Sequence, residues 1–332
     1  MTTELAERIR SFLRERVSAD EFSGCVLVAR KSESILREVY GQASRRYGVL
    51  NLIDTKFNLG SCNKVFTKVA IMQLAERGKL SLGDFVSRHL SNYPAKVADR
   101  ITVGQLLNHS SGMGDFWNER FYATRYRLKS VDDFINLFID DQLSFEPGSR
   151  IQYSNAGYVL LGKIIEVVSD QDYYDYMREH IYTPAGMKNS DHYEMDRPIP
   201  NLAIGYTRMD EHGNRVDGLR WENSFILGIK GSPAGGGYST VDDMLRFCVA
   251  LRDHELLGQK YTDLAYLPTA LPGTGQQTKM PSFGIAGGAP GVGATFKIYF
   301  DSNFVKVILS NYDPDCMETV SRKIDEFILR YS

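Results

Sequence analysis

The sequence predicts an α/β fold of the α+β kind. A central antiparallel sheet is flanked by helices from both termini and by a long inner helix, and a mainly helical lobe is inserted between its halves. Three observations carry this prediction. Hairpin patterns lie near both ends of the chain, an amphipathic helix sits outside each of them, and the stretch between is rich in helix starts.

The elements follow in order. "MTTELAERIRSFLRERV" sets Leu5, Ile9, Leu13 and Val17 at helical spacing among charges, so one face packs on a core. It lacks the apolar centre of a signal peptide, and no apolar run reaches the ~18 residues of a membrane span. "FSGCVLVARKSESILREVYG" reads as two strands joined by a polar turn around Lys31 to Glu33. "GATFKIYFDSNFVKVILSNY" is a second hairpin that turns at Asp301-Ser302-Asn303. The closing helix, "METVSRKIDEFILRYS", carries Val320, Ile324, Phe327 and Ile328 on one face. In between, Thr102 with Gln105, Ser130 with Asp133 and Thr240 with Asp243 each set a capping acceptor ahead of an apolar-periodic run. The expected division is a sheet domain over 1–95 and 245–332 and a mainly helical domain over 96–244, with an active-site cleft between them.

Composition narrows the function classes. Apolar residues make up 43% and charged residues 24%, as in a soluble globular protein, and the net charge of −2 is spread without a basic block. Nucleic acid and membrane partners are therefore not expected, and no oligomeric state is predicted. Cys25, Cys62, Cys248 and Cys316 lie far apart without a CxxC pair and read as packed, reduced thiols of a cytoplasmic protein. The histidines (89, 109, 180, 192, 212 and 254) are scattered, so no zinc site is expected, and neither metal nor organic cofactor. His109, beside Ser110 and Ser111, is read as part of a helix end capped by glycine. No G-x-S-x-G elbow occurs, and "AGGGYST" lacks the lysine of a phosphate loop.

Chemistry concentrates in three places. In "FNLGSCNKVFTKVAIMQLAERGKLS", Ser61 stands three residues before Lys64, and no other serine has a lysine at that spacing. Positions i and i+3 share a helix face, so the amine reaches the hydroxyl. A desolvated lysine loses its proton more readily and acts as a base, while the helix start offers N–H groups to an oxyanion. Taken by itself the pair also reads as an exposed lysine on an ordinary helix. "IQYSNAGYVLLGKIIEVV" holds the chain's one Y-x-N, Tyr153 to Asn155, ahead of a buried helix. Beside a cationic lysine the Tyr153 phenolate would be favoured, for proton shuttling; the other reading is a helix cap. In "SFGIAGGAPGVGATF", Gly287 and Gly288 either let a ligand approach an edge strand closely or make a turn.

S-x-x-K, Y-x-N and a glycine-rich strand near the C-terminus, in this order, resemble the serine β-lactamase and penicillin-binding protein superfamily. The Y-x-N form is similar to class C β-lactamases, their carboxypeptidase relatives and family VIII carboxylesterases. "ITVGQLLNHSSGMGD", "FEPGSRIQYSNAGYVLLGKIIE" and "SPAGGGYSTVDDM" extend the resemblance over nearly the whole chain. It implies the β-lactamase/transpeptidase-like fold, with Ser61 as acylated nucleophile, Lys64 as its partner and Tyr153 as acid/base. It further implies that Asn155 orients substrate and that the Ser61 and Gly288 N–H groups form the oxyanion hole. Where the family's third motif starts with lysine or histidine, this chain has Ile285-Ala286-Gly287. Isoleucine cannot pair a substrate carboxylate, so neutral esters are expected over penicillins. The expected activity is a serine hydrolase, most simply a carboxylesterase on small or medium esters. Alternatives are a β-lactamase, a D-amino-acid peptidase or amidase, an acyltransferase, or an idle binding module. Phe116, Trp117, Phe121, Tyr122 and Tyr126 form an aromatic run that is either a substrate wall, with Trp117 selecting the acyl group, or a small core.

Overall fold

The structure is a computed structural model that describes residues 2–210, 214–216, 218–267 and 281–331; His212 lies outside the described residues. The chain opens with α1 (Thr2–Ser18), β1 (Gly24–Arg30), β2 (Glu33–Tyr40), β3 (Gln42–Ser44), β4 (Val49–Leu50) and β5 (Phe57–Asn58). Helices follow: α2 (Lys64–Glu76), α3 (Ala95–Ala98), α4 (Val103–Leu107), α5 (Glu119–Thr124), α6 (Val131–Ile135), α7 (Asn155–Ser169) and α8 (Tyr173–Met177). Short strands β6 (Tyr206–Thr207), β7 (Trp221–Glu222) and β8 (Tyr238–Ser239) lead into α9 (Val241–Arg252) and α10 (Gln259–Tyr266). The chain closes with β9 (Ser282–Ala289), β10 (Val292–Tyr299), β11 (Phe304–Ser310) and α11 (Pro314–Leu329).

Five strands form the central antiparallel sheet in the order β2-β1-β11-β10-β9. The two ends of the chain meet in its middle, where Gly24 pairs Ser310 and Arg30 pairs Phe304. Both hairpin turns place a non-glycine residue in the left-handed region, Lys31 at φ 59° and Asn303 at φ 58°. Asparagine tolerates that conformation through local hydrogen bonding.

The sheet is covered on both faces, so β1 and β11 are apolar almost throughout rather than alternating. One face packs Val26, Val28, Phe304 and Ile308 against Leu5, Ile9 and Leu13 of α1 and Val320, Ile324 and Ile328 of α11. The opposite face packs Cys25, Leu27, Val305, Val307 and Leu309 into the larger core that contains α2. That core continues into α7, whose Val159, Leu160, Ile164 and Ile165 are fully buried. Capping holds the helical part together. Thr102 with Gln105 and Ser130 with Asp133 form reciprocal capping boxes, and the Thr240 side chain accepts from the Asp243 N–H.

Candidate active site

Ser61 does not open an α-helix. Gly60–Asn63 is a 3₁₀ turn, and α2 begins at Lys64. Gly60 takes φ +48° and donates its N–H to the Asn58 side-chain oxygen at 2.8 Å, which bends the chain sharply out of β5. Edge strand β9 lies directly on this turn. A Cβ on Gly287 would stand 2.2 Å from the Leu59 oxygen and 2.6 Å from the Ser61 nitrogen, and a Cβ on Gly60 would stand 2.9 Å from the Gly288 nitrogen. Gly60 and Gly287 are needed because two backbones touch here, whereas a Cβ on Gly288 would meet the Pro314 ring, 2.5 Å from its Cγ.

The turn and the start of α7 bring Ser61, Lys64, Tyr153 and Asn155 together. Ser61 Oγ lies 2.5 Å from the Tyr153 hydroxyl and 3.3 Å from Lys64 Nζ. Lys64 Nζ also donates to Asn155 Oδ1 at 2.6 Å and to the Ala234 carbonyl. The amine is 4.7 Å from the Tyr153 ring centroid and 5.4 Å from that of Tyr158. No carboxylate touches it among the described residues. Burial pushes the amine down to about 7, against the attraction of Asp115.

This corrects the expectation for Tyr153. Loss of solvent around its hydroxyl pushes the phenol up to about 12, and the Ser61 hydrogen bond only partly offsets that. Lys64, itself short of charge, does not hold a phenolate. Both groups rest neutral near pH 7, the lysine in part. An amine has two N–H bonds, which Asn155 and Ala234 accept, and its lone pair is left facing Ser61 Oγ.

The Y-x-N segment is not simply a cap. Ser154 is the N-cap of α7, accepting from the Gly157 N–H at 2.9 Å, while Asn155 is the first helical residue. Asn155 Nδ2 donates to Asp115 Oδ2 at 2.7 Å, which fixes the amide with its oxygen toward Lys64. Asp115 was not singled out by the sequence, although it ends the "SSGMGD" stretch; nothing local marks it as a partner of a residue 40 positions away. The Ala234 carbonyl was also missed, because a backbone acceptor leaves no trace in residue identity.

His109 takes no part in a serine–histidine pair. Its Nδ1 accepts the Ser154 N–H at 3.2 Å, and burial pushes the imidazole down to about 4. Ser110 donates instead to Asn108 Oδ1 at 2.6 Å. The helix end is also not glycine-capped as expected: His109 itself adopts φ +60° just after α4, with Gly112 at φ +81° further on. The His109 ring packs 4.7 Å from that of Tyr153 and so orients the phenol.

A cavity of about 620 Å³ opens over Ser61, and its lining includes Tyr153, Asn155 and Gly288. Its walls are mostly apolar, with Trp117, Phe121, Met195, Ile226 and Leu227 prominent. The aromatic run divides between the cavity wall and the core beneath it. Phe116 and Phe121 are buried, and Phe116 packs against Phe121 and edge-on to Phe134, while Trp117 is 38% exposed and faces the cavity; Tyr126 is exposed and does not line it. Ile285 and Gly287 do not line the cavity. Ile285 packs partly buried on the larger core, and its carbonyl accepts from Cys62 Sγ at 3.3 Å and Thr295 Oγ1 at 3.0 Å. Burial pushes the Cys62 thiol up, so the residue beside Ser61 is a packing group.

The Beta-lactamase family matches residues 9–326. The chain is similar to penicillin-binding protein 4* of Bacillus subtilis, 29% identical over 320 residues that cover 89% of this chain and 69% of the relative. Among solved structures it is similar to a penicillin binding protein from Bacillus halodurans, with a TM-score of 0.82 and 28% identity over 94% of this chain and 99% of that one. It shares its fold with EstCE1, described as a hydrolase with promiscuous acyltransferase activity, at a TM-score of 0.78 and 21% identity over 98% and 99% of the two chains.

Proposed function

We propose that this chain, which belongs to the beta-lactamase family, is a serine hydrolase that works as a carboxylesterase on small or medium neutral esters. One observation carries the chemistry: Ser61 Oγ sits between the Lys64 amine at 3.3 Å and the Tyr153 hydroxyl at 2.5 Å.

The steps follow from that placement. As Ser61 attacks the ester carbonyl, its proton passes to the Lys64 lone pair. The backbone N–H groups of Ser61 and Gly288 receive the oxyanion, whose charge balances the new ammonium. On collapse, Tyr153 gives its proton to the leaving alkoxide and recovers one from Lys64 through the emptied hydrogen-bond path. Water then reverses the sequence: it loses a proton to the same pair, attacks the acyl-Ser61 and frees the acid. Base and acid of this kind each supply about 10²- to 10⁴-fold in rate.

Preference for neutral esters is supported by the walls. Lys230 and Asp210 are the charged residues among those described that line the cavity. The Lys230 amine is turned to Glu194 at 3.4 Å and to the face of Tyr174 at 3.9 Å. An anionic substrate would thus meet no uncommitted cation among the described lining residues, and burying it unpaired is costly. The test is turnover of p-nitrophenyl acetate and butyrate by wild type and Ser61→Ala. The expected result is hydrolysis that disappears with the hydroxyl; equal rates in the two proteins would refute the assignment. The names of the penicillin-binding relatives favour a second reading, action on β-lactams, which nitrocefin turnover would detect.

A further inference from the structure

The loop "GSPAGGG", residues 231–237, presents four consecutive carbonyl oxygens to four side chains. Gly231 O accepts from the Tyr174 hydroxyl at 2.9 Å, and Ser232 O from Asn63 Nδ2 at 3.4 Å. Pro233 O accepts from Thr67 Oγ1 at 2.7 Å, and Ala234 O from Lys64 Nζ. Three of the four donors stand on the first turns leading into and along α2. The loop closes on itself through a bridge between Ser232 and Gly235, with N–H donors in both directions at 2.7 and 3.0 Å.

Thr67 is the centre of this clamp. It is fully buried, and so is Tyr173, whose hydroxyl lies 2.8 Å from Thr67 Oγ1. A threonine has one proton, and the Pro233 carbonyl can only accept, so that proton goes to Pro233 and Tyr173 donates to Thr67. The proline is pinned from its other side as well. Its ring sits on Gly162 of α7 so closely that a Cβ there would lie 2.1 Å from Pro233 Cγ. Helices α2 and α7, which carry Lys64 and Asn155, therefore grip the same proline from opposite sides. The next carbonyl along the chain is the one that accepts from Lys64.

We propose that Thr67 is a positioning residue: by tethering Pro233 it holds the Ala234 carbonyl where that acceptor takes one Lys64 N–H and turns the lone pair onto Ser61. Without the tether, Ala234 O is free to swing, and the amine loses the acceptor that sets its direction. Misplacement of a reacting group by about 1 Å costs on the order of 10²-fold in rate. The inference rests on the serine-hydrolase reading above.

The experiment measures the rate at which a fluorophosphonate labels Ser61, followed by intact mass, across pH. Wild type is compared with Thr67→Val, which keeps the shape and removes the hydroxyl, and with Thr67→Ser, which keeps the hydroxyl. The valine variant should label about tenfold to a hundredfold more slowly. Its acid limb should move to lower pH, because valine keeps water out and leaves the ammonium one acceptor short. The serine variant should return to within about threefold of wild type. Equal labelling of wild type and Thr67→Val, or equal slowing of the valine and serine variants, overturns the proposal. Should Thr67→Val fail to fold, Tyr173→Phe replaces it, with a slowing of about twofold to fivefold expected and a wild-type rate counting against it. A wild type that takes no label at Ser61 sinks the hydrolase reading instead, so the two failures are distinct.

Discussion

Lys56, Lys64 and Lys306 are buried among the described residues, and the last two sit in opposite kinds of company. Lys306, on β11, is tied by Asp325 and by the Ser321 carbonyl and hydroxyl at 3.0 and 2.7 Å. Asp325 also takes Tyr299 and Lys297, so a charged knot fastens α11 to the sheet. Burial pushes Lys306 down to about 8 against the pull of Asp325; burial works to raise Asp325, and the Lys306 charge still holds it below the usual carboxylate range. Lys64 has two carbonyl oxygens and a serine hydroxyl and no carboxylate in contact among the described residues. Depth alone does not make a lysine reactive. A buried ammonium with a carboxylate partner stays an ion pair; one given only neutral acceptors is left free to shed its proton.

The comparison can be broken first by removing the two amines. Lys64→Met should lower kcat/KM for p-nitrophenyl butyrate by about 10³-fold or more, with the urea midpoint unchanged or raised, since an apolar side chain suits a site without a counter-charge. Lys306→Met should do the reverse. It leaves Asp325 short of its main partner and costs roughly 2 to 4 kcal/mol in urea unfolding, with kcat/KM within about twofold of wild type. Loss of activity in the second variant while it remains folded would erase the distinction.

The pH profile sharpens the contrast. The neutral Lys64 amine is the working form, so kcat/KM should rise as pH rises through about 7 and then level off. A profile flat through that range would show that another group takes the Ser61 proton. A smaller effect is expected at the cavity wall. Trp117→Ala should change the preference between acetyl and longer acyl esters by about threefold to tenfold, with little change in melting temperature because the ring is partly exposed. Unfolding at markedly lower temperature with unaltered preference would make Trp117 a core residue.

How much of this was legible in the sequence follows the same divide. Ser61 with Lys64 and Tyr153 with Asn155 are short-range patterns, and the terminal hairpins announce the sheet through runs such as "CVLVA" and "FVKVILS". What the patterns do not carry is company. Lys306 in "FVKVILS" is the residue a strand would be expected to turn to solvent, yet α11 covers it. Asp115, the His109 ring and the Ala234 carbonyl reach the site from distant segments, and their roles depend on tertiary placement. The phenolate expected at Tyr153 failed for the same reason: it assumed a charged Lys64, and the charge depends on partners that only the fold supplies.

The central claim is that a discharged Lys64 activates Ser61. Its most direct measurement is the rate of fluorophosphonate attachment as pH is raised, with the modified peptide identified by mass spectrometry. The account predicts a single adduct on Ser61, forming faster as pH passes about 7, and no such dependence in Lys64→Met. An adduct on another residue, or an attachment rate indifferent to pH in the wild type, would contradict it.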